Sequence, residues 1–322
     1  MEKTSFSAGV KDDLARVMPE KTCCRLAELA AIARMDGTVS IGPGQGAGPA
    51  QLSLYIDTEH NAVARKVYRH LKDLFSVEGE LTVMRQTRLK RRTLYHILAP
   101  PSDKIRPMLQ SLGILSTNFQ ILPGIKKDLI RFKCCRHSYL RGAFLASGSV
   151  SSPERDYHLE LVTASEKLGK DLMLLTNRFH GLKAKLSRRK QSWLIYMKGS
   201  DQIADFLTIV GAYRSLLEFE NARVMRDMKN QVNRLVNCET FNLGKTADAS
   251  LRQVNNILLI REHMGLDALD PALEEVARVR LENPDISLKE LGEIMNPPVG
   301  KSGVNHRMRK IEEIAERIRG LR

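Results

Sequence analysis

The chain is short of acid, short of aromatic rings and without a long apolar run, and each shortage removes a class of function. Against 51 Lys and Arg it carries 37 Asp and Glu, a formal charge of +14 with a pI near 9.7. That balance suits a polyanion, of which nucleic acid is the commonest. Phe, Trp and Tyr make up 5% of residues, too few for the stacking platforms that recognise single-stranded RNA, so double-stranded DNA is the expected partner. No window nears the roughly 18 consecutive apolar residues of a membrane span. Met1-Glu2-Lys3 leads into no apolar signal region, and no lipidation site or amphipathic anchor accompanies the charge. A cytoplasmic, nucleoid-associated protein that avoids the membrane is expected. Cysteines are few and odd in number, and four of the five stand in adjacent pairs, Cys23-Cys24 and Cys134-Cys135, with Cys238 alone. Neither fact suits a secreted disulfide framework. Zinc-binding pairs usually keep two to four residues between their ligands, so the expectation is reduced structural thiols, with no metal and no cofactor.

What is present is repetition. With 322 residues, 43% of them hydrophobic, two or three domains with proper cores are expected. Residues 1–20 read as a tether containing one helix. An alanine-rich helix then runs through residues 21–36, and residues 133–151 match it at a fixed offset of 111: Cys23 with Cys134, Arg25 with Arg136, Leu29 with Leu140, Gly37 with Gly148. The flanks match too. After each helix come two strands, a helix, two more strands around a basic turn, and a closing helix. Internal repeats override local readings, so the chain predicts an α+β domain in two copies, residues 21–115 and 116–215. The basic runs fall at equivalent places: Arg85, Arg88, Lys90, Arg91 and Arg92 in copy one, Lys183, Lys185, Arg188, Arg189 and Lys190 in copy two. Either run alone is as readily a solvated turn; matched runs argue for a shared DNA surface. The glycine-rich stretch 42–48 is no phosphate loop, because it leads to a strand rather than to a helix N-terminus.

Residues 216–265 read as linker helices that break around Asn237-Cys238. On a helix, Arg223, Arg226, Asn230 and Asn233 would line one face and Val224, Met228, Val232 and Leu235 the other. Such a stripe could grip phosphate, or simply be solvated. Beyond it, residues 266–322 read as an all-α domain. Ser287 and Glu290 form a capping box, Leu288, Leu291, Ile294 and Met295 follow at the helical period, and Pro297-Pro298 stops that helix. A second helix starting near Ser302 has an apolar stripe of Val304, Met308, Ile311, Ala315 and Ile318. Ser302, His306, Arg309 and Lys310 fall opposite the stripe and Asn305 and Arg307 on its flanks. These side chains suit a helix that reads base edges in the major groove, with Ser287, Lys289 and Lys301 at the adjoining helix starts. An ordinary amphipathic terminal helix would show the same pattern; the basic charge of the chain favours DNA.

Residues 29–37, LAAIARMDG, and 140–148, LRGAFLASG, resemble the LAGLIDADG motif of homing endonucleases, in register at the leucine and the final glycine. In that family the acidic residue before the final glycine of each copy carries metal-dependent cleavage of DNA. Here those positions are Asp36 and Ser147. Cleavage across two metals needs carboxylates from both copies, so the resemblance implies a degenerate nuclease site without catalytic residues; the alternative is a LAGLIDADG-type DNA endonuclease. Arg34 would add a cation to that site if it faced inward. Joined to a helix-turn-helix, and with residues 228–246 as its most distinctive segment, the whole chain resembles the WhiA family of Gram-positive bacteria. The resemblance implies two LAGLIDADG-like copies (αββαββα), a helix-turn-helix similar to that of sigma factors, and a non-enzymatic DNA-binding regulator of transcription. The processes implied are sporulation, cell division or chromosome segregation. It also implies a monomer that is an internal pseudo-dimer, with a transcription or division protein as a further partner.

Overall fold

The computed structural model describes residues 5–43, 51–86 and 92–320. The chain divides into two compact units, Met1–Arg226 and Asp227–Arg322. In the first, the segment expected to be a tether is a core helix, α1 (Phe6–Arg16), capped by the Ser5 hydroxyl and burying Val10 and Leu14. The first copy follows as α2 (Thr22–Asp36), β1 (Gly37–Gly42), β2 (Gln51–Thr58), α3 (Asn61–Phe75), β3 (Glu80–Gln86), β4 (Arg92–Ala99) and α4 (Ile105–Ser111). The second repeats it as α5 (Lys133–Ser147), β5 (Gly148–Val150), β6 (His158–Thr163), α6 (Glu166–Thr176), β7 (Lys185–Arg189), β8 (Ser192–Lys198) and α7 (Ser200–Val210). Each copy forms a four-stranded antiparallel sheet, in the order β1-β2-β4-β3 and β5-β6-β8-β7. One face of each sheet is covered by helices. Leu54, Ile56, Ile97 and Ala99 face inward in the first copy, and Leu159, Leu161, Ile195 and Met197 in the second.

The two copies meet along α2 and α5. Small residues let these backbones close: a Cβ added at Gly142 would lie 2.3 Å from the Glu28 carbonyl oxygen. Within the contact, Glu28 is fully buried, with Arg141 Nε donating to its Oε2 at 2.7 Å and with Lys66 and His70 also at its carboxylate. Three cationic or imidazole partners hold the Glu28 pKa below the ordinary glutamate value, outweighing the burial that would raise it.

Helix α8 (Tyr213–Met264) is continuous, where a break near Asn237-Cys238 was expected. Asparagine, cysteine and even Gly244 each weaken a helix by about 1 kcal/mol or less, and no proline interrupts the 52 residues. The second unit gathers the last turns of α8, α9 (Pro271–Glu282), α10 (Leu288–Ile294) and α11 (Lys301–Gly320) around Ile257, Ile260, Val276, Leu291, Met295, Val304, Met308 and Ile311. Asp270 caps α9, where Pro271 takes the first helical position. Ile294, expected on the apolar stripe of α10, is instead 55% exposed. The helix ends there, Met295 adopts an extended backbone, and its side chain fills the core position.

Candidate nucleic-acid interface

Helices α10 and α11 form the expected pair. The capping box is complete, with Glu290 N–H donating to Ser287 Oγ at 3.3 Å and Ser287 N–H donating to Glu290 Oε2 at 2.8 Å. Ser287 Oγ therefore closes the start of α10, and Lys289 stands exposed beside it. The turn that follows passes close under α10: Val299 N–H donates to the Gly292 carbonyl at 2.9 Å. A Cβ at Gly292 would fall 2.0 Å from the Val299 carbonyl oxygen, so only glycine fits. Val304, Met308, Ile311 and Ala315 bury one side of α11 and leave Lys301, Ser302, Asn305, His306, Arg309 and Lys310 exposed. Arg307 departs from the expected reading face. Its Nη1 lies 3.6 Å from Glu275 Oε2 on α9, an ion pair that draws the guanidinium back toward the helix bundle. The first half of α11 has no acid; Glu312, Glu313 and Glu316 come later.

The described residues of the two basic runs are placed less symmetrically than their sequence positions suggest. Cross-strand register puts Lys185 and Arg189 on the open face of the second sheet, in line with Tyr196 and Ser192. Arg188 points to the helix-covered side, with its guanidinium over the Trp193 ring at 5.9 Å. Lys183 and Lys190 are exposed at the strand's two ends. In the first sheet Arg85 pairs with Thr93, which shares parity with the inward-facing Ile97, so Arg85 lies on the helix side. Arg92 opens β4; Arg88, Lys90 and Arg91 lie outside the described residues. On α8, Arg223 and Arg226 are engaged within the first unit rather than offered as a stripe. Arg223 pairs with Asp201 at 2.7 Å, and Arg226 donates to the Pro153 carbonyl at 3.3 Å while lying over the Tyr157 ring. Asn230 and Asn233 are exposed, as are Val224, Met228, Val232 and Leu235. The two-faced pattern of α8 thus has no buried side over these residues.

Asp36 and Ser147 end α2 and α5. Burial, offset by Lys11 and reinforced by Asp57, pushes the Asp36 carboxyl up to about 6. Ser147 Oγ is buried without a hydrogen-bond partner among the described residues. Lys11 of α1, outside the residues expected at this site, donates its ammonium to the Ala146 carbonyl at 2.9 Å, one residue from Ser147. A lysine on the same helix face as Val10 and Leu14 was the available signal. Two-metal chemistry needs a carboxylate from each copy; the two motif positions here carry one carboxylate and one hydroxyl, with the Lys11 ammonium beside them. Arg34 faces away, donating to the carbonyls of Gly113 at 2.9 Å and Gly124 at 2.6 Å. It anchors the segment between the copies. At the opposite ends of α2 and α5, the sulfurs of Cys23, Cys24, Cys134 and Cys135 all lie within 4.8 Å of one another, which spacing along the chain had argued against. Among the described residues no helix is long and apolar enough to cross a membrane.

A duplicated αββαββα unit with a degenerate nuclease position, followed by a helix-turn-helix, defines the class: a LAGLIDADG-like protein carrying a second, helical domain. Three family descriptions match in chain order: the WhiA N-terminal LAGLIDADG-like domain over residues 22–115, the WhiA LAGLIDADG-like domain over 136–229 and the WhiA C-terminal HTH domain over 232–315. A relative from Desulforudis audaxviator, named probable cell division protein WhiA, is 48% identical over 314 residues, 98% of this chain and 97% of its own length. One of the same name from Desulfitobacterium hafniense is 52% identical over 314 residues, covering 98% of this chain and 96% of the relative. The crystal structure of full-length WhiA from Thermotoga maritima is 26% identical, with a TM-score of 0.56 over 98% of this chain and 99% of that one. The chain belongs to the WhiA family.

Proposed function

We propose that this protein is a non-enzymatic, sequence-specific binder of double-stranded DNA that acts in cell division, the process its relatives' names carry. The observation that carries the reading is the exposed face of α11, where Ser302, Asn305, His306 and Arg309 stand together on a helix fixed by a capped partner. Arginine reads guanine bidentately, asparagine reads adenine, and serine or histidine meets base-edge acceptors. Lys289, Lys301 and Lys310 flank these readers and would meet phosphate, which positions a helix without specifying sequence. The exposed cations of β7 and its turn would add sequence-independent grip. A role in transcription, sporulation or chromosome segregation, with residence on the nucleoid, extends the same reading.

The test is selection of duplexes from a random pool by the full-length chain, with recovered DNA also checked for cuts after incubation with magnesium or manganese. The wild type should enrich a defined sequence and leave DNA intact, and His306→Ala/Arg309→Ala should enrich none. Enrichment unchanged in that variant would remove α11 as the reader. Cuts that disappear in Asp36→Ala would instead make the protein a nuclease.

A further inference from the structure

Four thiols converge where the two copies begin. Cys23 and Cys24 open α2, Cys134 and Cys135 open α5, and the pseudo-symmetric packing of these helices brings all four sulfurs within 4.8 Å of one another. An ideal tetrahedron of zinc–thiolate bonds of about 2.3 Å has sulfurs about 3.8 Å apart, so the observed upper limit of 4.8 Å exceeds the ideal spacing by only about 1 Å. Side-chain rotation supplies a shift of that size. Spacing along one chain had argued against a metal because an adjacent pair seldom closes on one ion by itself. Here each pair needs to supply only half of the set, and the other half comes from the second helix.

The surroundings suit a negatively charged centre. A divalent ion with four thiolates carries a net charge of −2. Both helix N-termini present the positive end of their dipoles to it, and neither has a side-chain cap. Lys21, Lys133, His137 and Arg141 line the open hollow beside Cys24 and Cys134, giving an ion an approach and offsetting its ligands' charge. The helix starts are held in the same way in both copies. Arg25 Nε donates to the Pro19 carbonyl at 2.6 Å, and Arg136 Nε donates to the Ile130 carbonyl at 3.1 Å, each six residues upstream. Cys24 and Cys135 are buried, and Cys23 and Cys134 reach the solvent side. Cys24 and Cys23 of the first copy thus stand within reach of Cys134 and Cys135 of the second, so the set spans both copies.

We propose that Cys23, Cys24, Cys134 and Cys135 form a binding site for one thiophilic divalent cation, of which zinc is the type, that clasps the two LAGLIDADG-like copies together. Tetrahedral sites made only of cysteine select zinc or iron–sulfur centres, and a closed set of four ligands is structural rather than catalytic. Binding exchanges the thiol protons for the ion and releases them to solvent, so affinity rises with pH.

The experiment uses the full-length protein purified under reducing conditions, stripped with a chelator and titrated with zinc and with cobalt. We expect about one equivalent of either metal per chain, and the visible absorption of tetrahedral thiolate-bound cobalt. Zinc should shield all four cysteines from alkylation and raise the melting temperature of the first unit. Cys24→Ser/Cys135→Ser should abolish the cobalt spectrum and Cys238→Ser should keep it. The wild-type spectrum and alkylation pattern decide the matter even if the double variant folds poorly. Absence of tetrahedral cobalt absorption in the wild type, retention of metal by Cys24→Ser/Cys135→Ser, or the four thiols paired as disulfides under reducing conditions would each overturn the proposal.

Discussion

Asp36 is held in a place that resists its charge. Its carboxyl titrates at about 6 rather than 3.8, chiefly through burial. A carboxyl whose folded pKa lies above its unfolded value penalises the folded state once it ionises. No penalty exists below about pH 4, it grows between about pH 4 and 6, and it is complete above that. Asp36→Asn should therefore stabilise the protein at pH 7 by about 1 to 3 kcal/mol, the attraction of Lys11 being already contained in the shift. The advantage should vanish near pH 4. Urea unfolding across that range checks the sign, and a gain that grew on acidification would show the carboxylate to be favourably held. The LAGLIDADG likeness and the loss of the second acid at Ser147 were legible because motif and offset lie along the chain. Lys11 and the salt-bridged Glu28 were not, because their partners arrive from helices far away in sequence.

Secondary elements repeat this contrast. Strand β2 and the capping box of α10 matched local patterns residue by residue, since alternation and cap chemistry are complete within a few positions. The continuity of α8 went unseen because weak helix formers were read as a break where the cooperative helix simply runs through them. Arg280, in α9, is another case. It is buried without an acidic partner among the described residues, and its Nη1 donates to the carbonyls of Asn283, Pro284 and Ile286 at 3.4, 3.5 and 2.7 Å. Burial lowers its pKa, yet its hydrogen bonds pin the loop that delivers Ser287 to the start of α10. Arg280→Leu should keep the volume, free those carbonyls and cost the second unit about 2 to 3 kcal/mol. Hydrogen exchange should rise first across residues 283–295. Protection unchanged there would mean the loop is held without it.

Over the whole molecule, the proposed function assigns reading and gripping to different units: the exposed polar face of α11 would read bases, and the open-face cations of β7 would grip phosphate. If both meet one duplex, the tether raises the effective concentration of the second contact, by a factor on the order of 10² where geometry permits. Affinity would then fall with salt by roughly 0.9 in log–log slope for each phosphate neutralised. The direct test is the salt dependence of binding by the full chain to its selected duplex and to a scrambled one, in three forms: wild type, His306→Ala/Arg309→Ala, and Lys185→Glu/Arg189→Glu. The α11 variant should lose about 1 to 3 kcal/mol per residue on the selected duplex, little on the scrambled one, and at most about one unit of slope from the arginine. The β7 variant should flatten the slope on both duplexes and keep the preference between them. Equal losses on both duplexes from the α11 variant, with an unaltered slope in the β7 variant, would contradict the account.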